Sequence, residues 1–264
     1  MAIPPSNDLA NDRIKLGQGI QAIGADVIGI QEVDEKLGRS GNISQTKLVG
    51  EAMGTQYWGF APVIIGEPGA KWRKLNRAEL KVITQENPEQ NNEGSYGIGI
   101  VSKIPVRSWH RLNLGNSPVG LPLVVPGDET GKGKPRFIYV KDEPRLALAA
   151  VLENGWTVVN THLSFVPFLN LVQLKRVKKW ALSLAQETNT RPLILGDLNL
   201  PKNLPIAFSS WKSLVSANTY PSWGAKIQFD YLLVPELPTG GFQGLPISQT
   251  GISDHLPLSA EISN

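Results

Sequence analysis

The sequence predicts an α/β fold: mixed β-sheets with helices outside them. Three observations predict it. Short apolar runs recur that end abruptly in polar residues, as buried strands do. A few longer segments repeat apolar residues at helical spacing. No Gly/Ser-rich or Pro-rich run divides the chain, so residues 1–264 are expected to form a single domain.

The elements follow in order. Asn11 or Asp12 is expected to cap a helix running to about Gly24, with Leu16, Ile20 and Ile23 on one face. Asp26 to Asp34 reads as a buried strand. Asn42 is expected to cap a second helix that stops at Gly54. Tyr57 to Ile65 reads as a strand, and residues 66–94 as a long polar loop. Tyr96 to Val101 and Val106 to Leu114 read as a hairpin turning at Lys103-Ile104-Pro105. Residues 115–135 read as a second loop. Arg136 to Val140, Arg145 to Leu152 and Trp156 to Leu163 read as three strands, the last two joined at Asn154-Gly155, a strong hairpin signal. A helix is expected over about Pro167 to Gln186. Leu193-Ile194-Leu195, bounded by Pro192 and Gly196, is a short strand buried on both faces. Ile227 to Val234 and His255 to Ile262 complete the set, the last alternating apolar and polar residues.

Composition narrows the chemistry. The chain has no Cys and only three His, namely His110, His162 and His255. Disulfides and thiolate metal sites are excluded, so any metal would be a hard cation on oxygen ligands or one held partly by His. The net charge of +3 suits a polyanionic partner without requiring one. No run is long and apolar enough to span a bilayer, and the N-terminus lacks the basic and apolar regions of a signal peptide. A soluble cytoplasmic protein is expected on that reading.

Polar residues gather at strand ends: Gln31-Glu32, Asn160-Thr161-His162, Gly196-Asp197-Leu198-Asn199, Asp230, and Ser253-Asp254-His255. Each has an ordinary explanation. Asp197 and Asn199 are good turn formers, His162 could be a satisfied core histidine, and Asp230 could accept backbone N–H groups. Taken together they point elsewhere, because two of the three histidines and every candidate acid sit at such ends. Asp197 and Asn199, two apart, would leave one rim in the same direction if the chain stays extended.

This ordered set resembles the endonuclease/exonuclease/phosphatase superfamily, over roughly residue 11 to the C-terminus. The resemblance implies two packed mixed β-sheets with helices on the outer faces, a four-layer sandwich. It also implies a phosphoester hydrolase. Glu32 would hold a divalent cation, Mg²⁺ first and Mn²⁺ as the alternative, with Asp254 helping to hold or orient it. Asp197 would position or deprotonate the attacking water. Asn199 would bind the phosphate or orient Asp197. Asp230 would accept from His255, favouring an imidazolium that binds or protonates a phosphoryl oxygen. His162 would contact the phosphate or leaving group. Arg145 could reach the phosphate or form a structural ion pair. Arg39 and Asn42 could line the cleft. The substrate class stays open between nucleic acid and phospholipid or inositol phosphate. A catalytically impaired binding module on the same fold is the competing reading.

One departure stands out. Members of the superfamily normally begin with a strand ending in Asn, and no apolar strand precedes Asn7 or Asn11. The neighbour of such a strand is expected to show unpaired backbone groups and an open core face, with reduced stability and weak activity.

Overall fold

The computed structural model describes residues 8–88, 93–125, 136–245 and 249–263. Helix α1 spans Leu9–Ile23 and strand β1 Val27–Glu35. The α1 cap is Asp8, whose carboxylate accepts the Asn11 N–H at 3.1 Å, so the helix starts earlier than Asn11 or Asp12 would start it. Helix α2 spans Gln45–Met53 and is capped by Ser44, which accepts the Lys47 N–H. Asn42, the expected cap, instead takes a left-handed turn at φ 58° with its N–H on Leu37.

Strands β2 (Tyr57–Gly66), β3 (Trp72–Lys74), β4 (Ile83–Thr84) and β5 (Ser95–Ser102) follow. Residues 66–94 are therefore less irregular than their composition suggests. Then come β6 (Val106–Gly115), β7 (Leu121–Val125), β8 (Arg136–Val140), β9 (Arg145–Leu152) and β10 (Trp156–His162). Helix α3 spans Leu169–Thr188, and β11 (Arg191–Asp197), β12 (Lys212–Ser213), β13 (Asp230–Val234), β14 (Phe242–Gly244) and β15 (Ala260–Ile262) close the chain.

The strands form two main sheets. The first has the order β1-β5-β2-β3, with β4 also on β2, and the second the order β12-β13-β11-β10-β9-β6. The second contains the parallel pair β10–β11, which the intervening α3 makes possible. The expected hairpin of β5 with β6 does not exist, because the two strands lie in different sheets. Ser102 Oγ donates to the Ile104 carbonyl and accepts the Ile104 N–H, and this turn carries the chain from one sheet to the other. The second expected loop is strand in part, since β7 pairs with β8 in a separate two-stranded ribbon, and its residues 126–135 lie outside the described residues.

Three apolar clusters make four layers. Ile98, Ile100, Leu146, Leu148, Val158 and Leu232 belong to the cluster between the sheets. Leu16, Ile20 and Val49 bring α1 and α2 onto the outer face of the first sheet. Leu174, Val177, Ala181 and Leu184 bring α3 onto the outer face of the second.

Among the described strands β1 pairs only with β5, and Glu35 at its end also bridges Ser44. Its other edge opens on a cleft of about 720 Å³, lined by Leu16, Ile20, Leu195, Leu232, Ile252 and Leu258 among others. The expected final strand is much reduced. Only Ala260–Ile262 is strand, pairing with β14, while residues 253–259 run along the cleft without a regular ladder.

Candidate active site

The site is built by strand register. In the second sheet His162 lies opposite Asp197, and Asp197 opposite Asp230. One row of three adjacent strands therefore carries an imidazole and two carboxylates side by side. Gly196 makes this close approach possible. Its φ is 130°, and a Cβ there would stand 2.0 Å from the Thr161 carbonyl oxygen.

The first sheet contributes Glu32 through an irregularity. The β1–β5 register shifts between Ile30 and Val33, and Glu32 takes φ 56°, a left-handed conformation in mid-strand. Such a bulge re-aims a side chain. Asn160, with no exposed surface, fixes it in place. Its amide donates to the Ile30 carbonyl at 2.9 Å and the Gly99 carbonyl at 2.8 Å, and its oxygen accepts from Gln31 Nε2 at 2.6 Å. One carboxamide from the second sheet thus pins two strands of the first beside Glu32.

The two histidines are held in opposite charge states. His255 Nδ1 lies 2.7 Å from Asp230 Oδ2. Burial works against a charged ring there, but the hydrogen bond and charge of Asp230 outweigh it and raise the pKa to about 9. The Tyr220 ring packs on this imidazole, centroids 5.0 Å apart. His162 Nδ1 instead lies 3.0 Å from Arg145 Nη1. A guanidinium only donates, so Nδ1 accepts and the ring is neutral with its proton on Nε2. Burial and the Arg145 charge both push the His162 pKa well down. Its Nε2 faces Asp197 Oδ2 at 3.5 Å, and its Nδ1 lies 3.9 Å from Glu32 Oε1.

Two acids also differ. Asp197 is raised to about 7, first by burial and then by the Asp230 charge, against the charge of His255 and the Asn199 N–H. That N–H donates to Asp197 Oδ1 at 2.8 Å. For Glu32 burial favours the neutral acid, while the charges of Arg145 and His255 favour the carboxylate.

Of the residues singled out in the sequence, Glu32, His162, Asp197, Asp230, Asp254 and His255 line one cleft. Arg145 joins them through His162, and it is also 3.6 Å from Asp142. Asn199 departs from the expectation of an extended rim. Its φ is 48°, and its side-chain amide turns back to donate to the Leu163 carbonyl at 2.9 Å. Arg39 is tied to Asp34 by two hydrogen bonds of 2.7 and 2.8 Å and lies over the Tyr96 ring. Its guanidinium therefore buttresses the rim. His110 meets Ser108 away from the site.

Sequence reasoning left Asn160 and Tyr96 without roles here. Tyr96 is 6% exposed, and its hydroxyl pKa is pushed well up by burial and then by the Glu32 charge. The Asn in Asn160-Thr161-His162 was visible, but nothing local says that it bridges two sheets.

Among the described residues no three His, Asp or Glu side chains converge as a ready cage for a metal. The donor set still fits Mg²⁺, which retains water and needs only one or two protein carboxylates beside substrate phosphate. An ionised Glu32 at the cleft supplies one.

No curated protein matches the chain. Solved structures resemble it throughout. A mannosyl-6-phosphatase from Bacteroides thetaiotaomicron superposes with a TM-score of 0.57 at 13% identity, over 99% of this chain and 96% of that one. Truncated TDP2 from Caenorhabditis elegans gives 0.56 at 14%, over 97% and 91%. The human Nocturnin catalytic domain with bound sulfate gives 0.54 at 13%, over 96% and 87%. At these identities the likeness concerns the fold. The sequence model of the Endonuclease/Exonuclease/phosphatase family matches residues 3–255. With nearly the whole chain matched and the strand-end acids and imidazoles gathered in one cleft, the chain belongs to the endonuclease/exonuclease/phosphatase family of phosphoester hydrolases.

Proposed function

We propose that this chain hydrolyses phosphoester bonds with the help of a divalent cation, Mg²⁺ or Mn²⁺, by attack of water on phosphorus. The observation that carries the reading is the row His162–Asp197–Asp230 across neighbouring strands, with His255 bound to Asp230 and Glu32 facing the same cleft.

Each residue has a role that its surroundings support. Asp197 accepts a proton from the attacking water, and a pKa near 7 suits a base working at neutral pH. The Asn199 N–H holds that carboxylate in orientation. His255, kept as an imidazolium by Asp230, stabilises charge on a phosphoryl oxygen or returns a proton to the leaving oxygen. His162, neutral with Nε2–H outward, donates a hydrogen bond to the phosphate. Arg145 sets that tautomer and adds positive charge. Glu32, with Asp254 on the same cleft, would hold the cation. When bound, the cation neutralises phosphate charge as a Lewis acid.

The test is hydrolysis of bis(p-nitrophenyl) phosphate with Mg²⁺ or Mn²⁺, with EDTA and Asp197→Ala as controls. Turnover that EDTA abolishes, and that Asp197→Ala lowers by about 10²-fold or more, is expected. Turnover that needs no metal overturns the cation's part in the reading, and none from correctly folded protein overturns the whole reading in favour of a binding module. A panel of DNA, RNA and phosphoinositide substrates then sorts the class.

A further inference from the structure

Two adjoining segments that leave the active-site rim display large apolar side chains. The first is the β7–β8 ribbon, which joins the end of β6 to the start of β9, where Arg145 sits. Val119, just before β7, and Phe137 and Tyr139 on β8 are 59%, 77% and 63% exposed. Phe137 and Tyr139, two apart on β8, share one face of the ribbon. The Tyr139 hydroxyl accepts the Gly120 N–H at 2.8 Å, so its polar end is satisfied within the ribbon while the ring faces water. The second segment follows His162 directly. Phe168 is 80% exposed and Val172 57%, with Leu171 beside them. Phe168 sits at φ 67°, a left-handed conformation that bulky residues avoid.

Hydrogen bonds tie α3, which carries the second segment, to the end of β6, from which the ribbon leaves. Gln173 Nε2 donates to the Gly115 carbonyl at 3.2 Å, and Arg176 donates to the carbonyls of Leu114 and Asn113. The two segments therefore leave neighbouring points of the rim. Cations border them. Lys175 and Lys179 follow Leu171 along α3 at four-residue steps, and Lys141 stands at the foot of the ribbon; all three are exposed. From Leu163 to Gln186 the sequence contains four Lys or Arg and no acid.

We propose that these two segments together dock on an anionic phospholipid bilayer and present a membrane-borne phosphoester to the cleft; the substrate half of this statement rests on the phosphoesterase reading above. An apolar centre with a lysine margin matches the headgroup–acyl boundary of such a bilayer, where aromatic and aliphatic side chains enter and lysines meet lipid phosphates. Single-stranded nucleic acid is the weaker match. It calls for flat stacking surfaces, and Val119, Leu171 and Val172 provide none. Docking would be in-plane, since no described helix is long and apolar enough to cross a membrane.

The experiment is co-sedimentation of the full chain with vesicles of phosphatidylcholine alone or with about one-fifth phosphatidylserine. Binding to the anionic vesicles is expected, and much weaker binding to the neutral ones. Lys175→Gln and Lys179→Gln should each weaken it roughly fivefold, and Phe137→Ser with Phe168→Asn by about tenfold or more. All variants should melt like the parent and hydrolyse soluble bis(p-nitrophenyl) phosphate at the parent rate. Equal binding to both vesicles, no binding, binding untouched by these substitutions, or their loss affecting only oligonucleotide binding each overturns the proposal. Sedimentation is read without turnover, so an inactive protein that still docks refutes the phosphoesterase reading alone.

Discussion

Replacing Asp197 with Asn should make the protein more stable and nearly inactive. Asp197 is 8% exposed, and its pKa is raised from 3.8 to about 7, chiefly by burial and by Asp230. For a carboxylic acid a raised folded-state pKa works against folding wherever the unfolded chain has already lost its proton. The penalty is absent below pH 4, grows between pH 4 and 7, and is complete above 7. A rise of about 3 pH units converts to about 4 kcal/mol. Asn has the same shape and still accepts the Asn199 N–H, so little is lost on the other side. Removing the charge also takes away part of what keeps His255 protonated, which lowers the net gain to about 2–4 kcal/mol at pH 8. Urea unfolding of both proteins at pH 4 and pH 8 measures it. The midpoints should nearly coincide at pH 4 and separate at pH 8, with the variant higher. A variant less stable than the parent at pH 8, or a gap independent of pH, would refute the reasoning.

Other outcomes follow from the same geometry. Asp230→Asn removes the charge and hydrogen-bond acceptor that outweigh burial at His255. The His255 pKa should fall from about 9 to 6.5 or lower, and kcat by about 10²- to 10⁴-fold; an NMR titration that still finds it near 9 contradicts this. Arg145→Met should let the His162 pKa climb toward the ordinary histidine range and cost about 10- to 100-fold in kcat/KM, as losing a group that orients an imidazole usually does. A histidine titration identical to the parent's would show that burial alone keeps His162 neutral. Asn160→Ala removes the hydrogen bonds to the Ile30 and Gly99 carbonyls and from the Gln31 amide, so it should destabilise by about 2–4 kcal/mol and loosen Glu32; unchanged urea midpoints would discount its bridging role. Hydrolysis should rise with pH as Asp197 deprotonates near 7 and fall as His255 deprotonates near 9; a flat profile over that range would remove one of the two from the mechanism.

What the sequence determined by itself was local. Apolar runs marked the strands, Asn154-Gly155 marked the β9–β10 hairpin, and polar residues at strand ends marked the acids and imidazoles, because each of these signals depends on residues close together along the chain. Asn42 failed as a cap because Ser44 was the better placed acceptor, a choice of two residues that spacing alone does not make. Tertiary structure decided everything that depends on residues far apart. Lys103-Ile104-Pro105 looks like a hairpin turn, yet it transfers the chain between sheets, because burying two apolar faces against each other outweighs pairing sequence neighbours. His162 and His255 are the same residue type at similar strand ends. Only the fold brings a guanidinium to one and a carboxylate to the other, and so makes one neutral and the other charged.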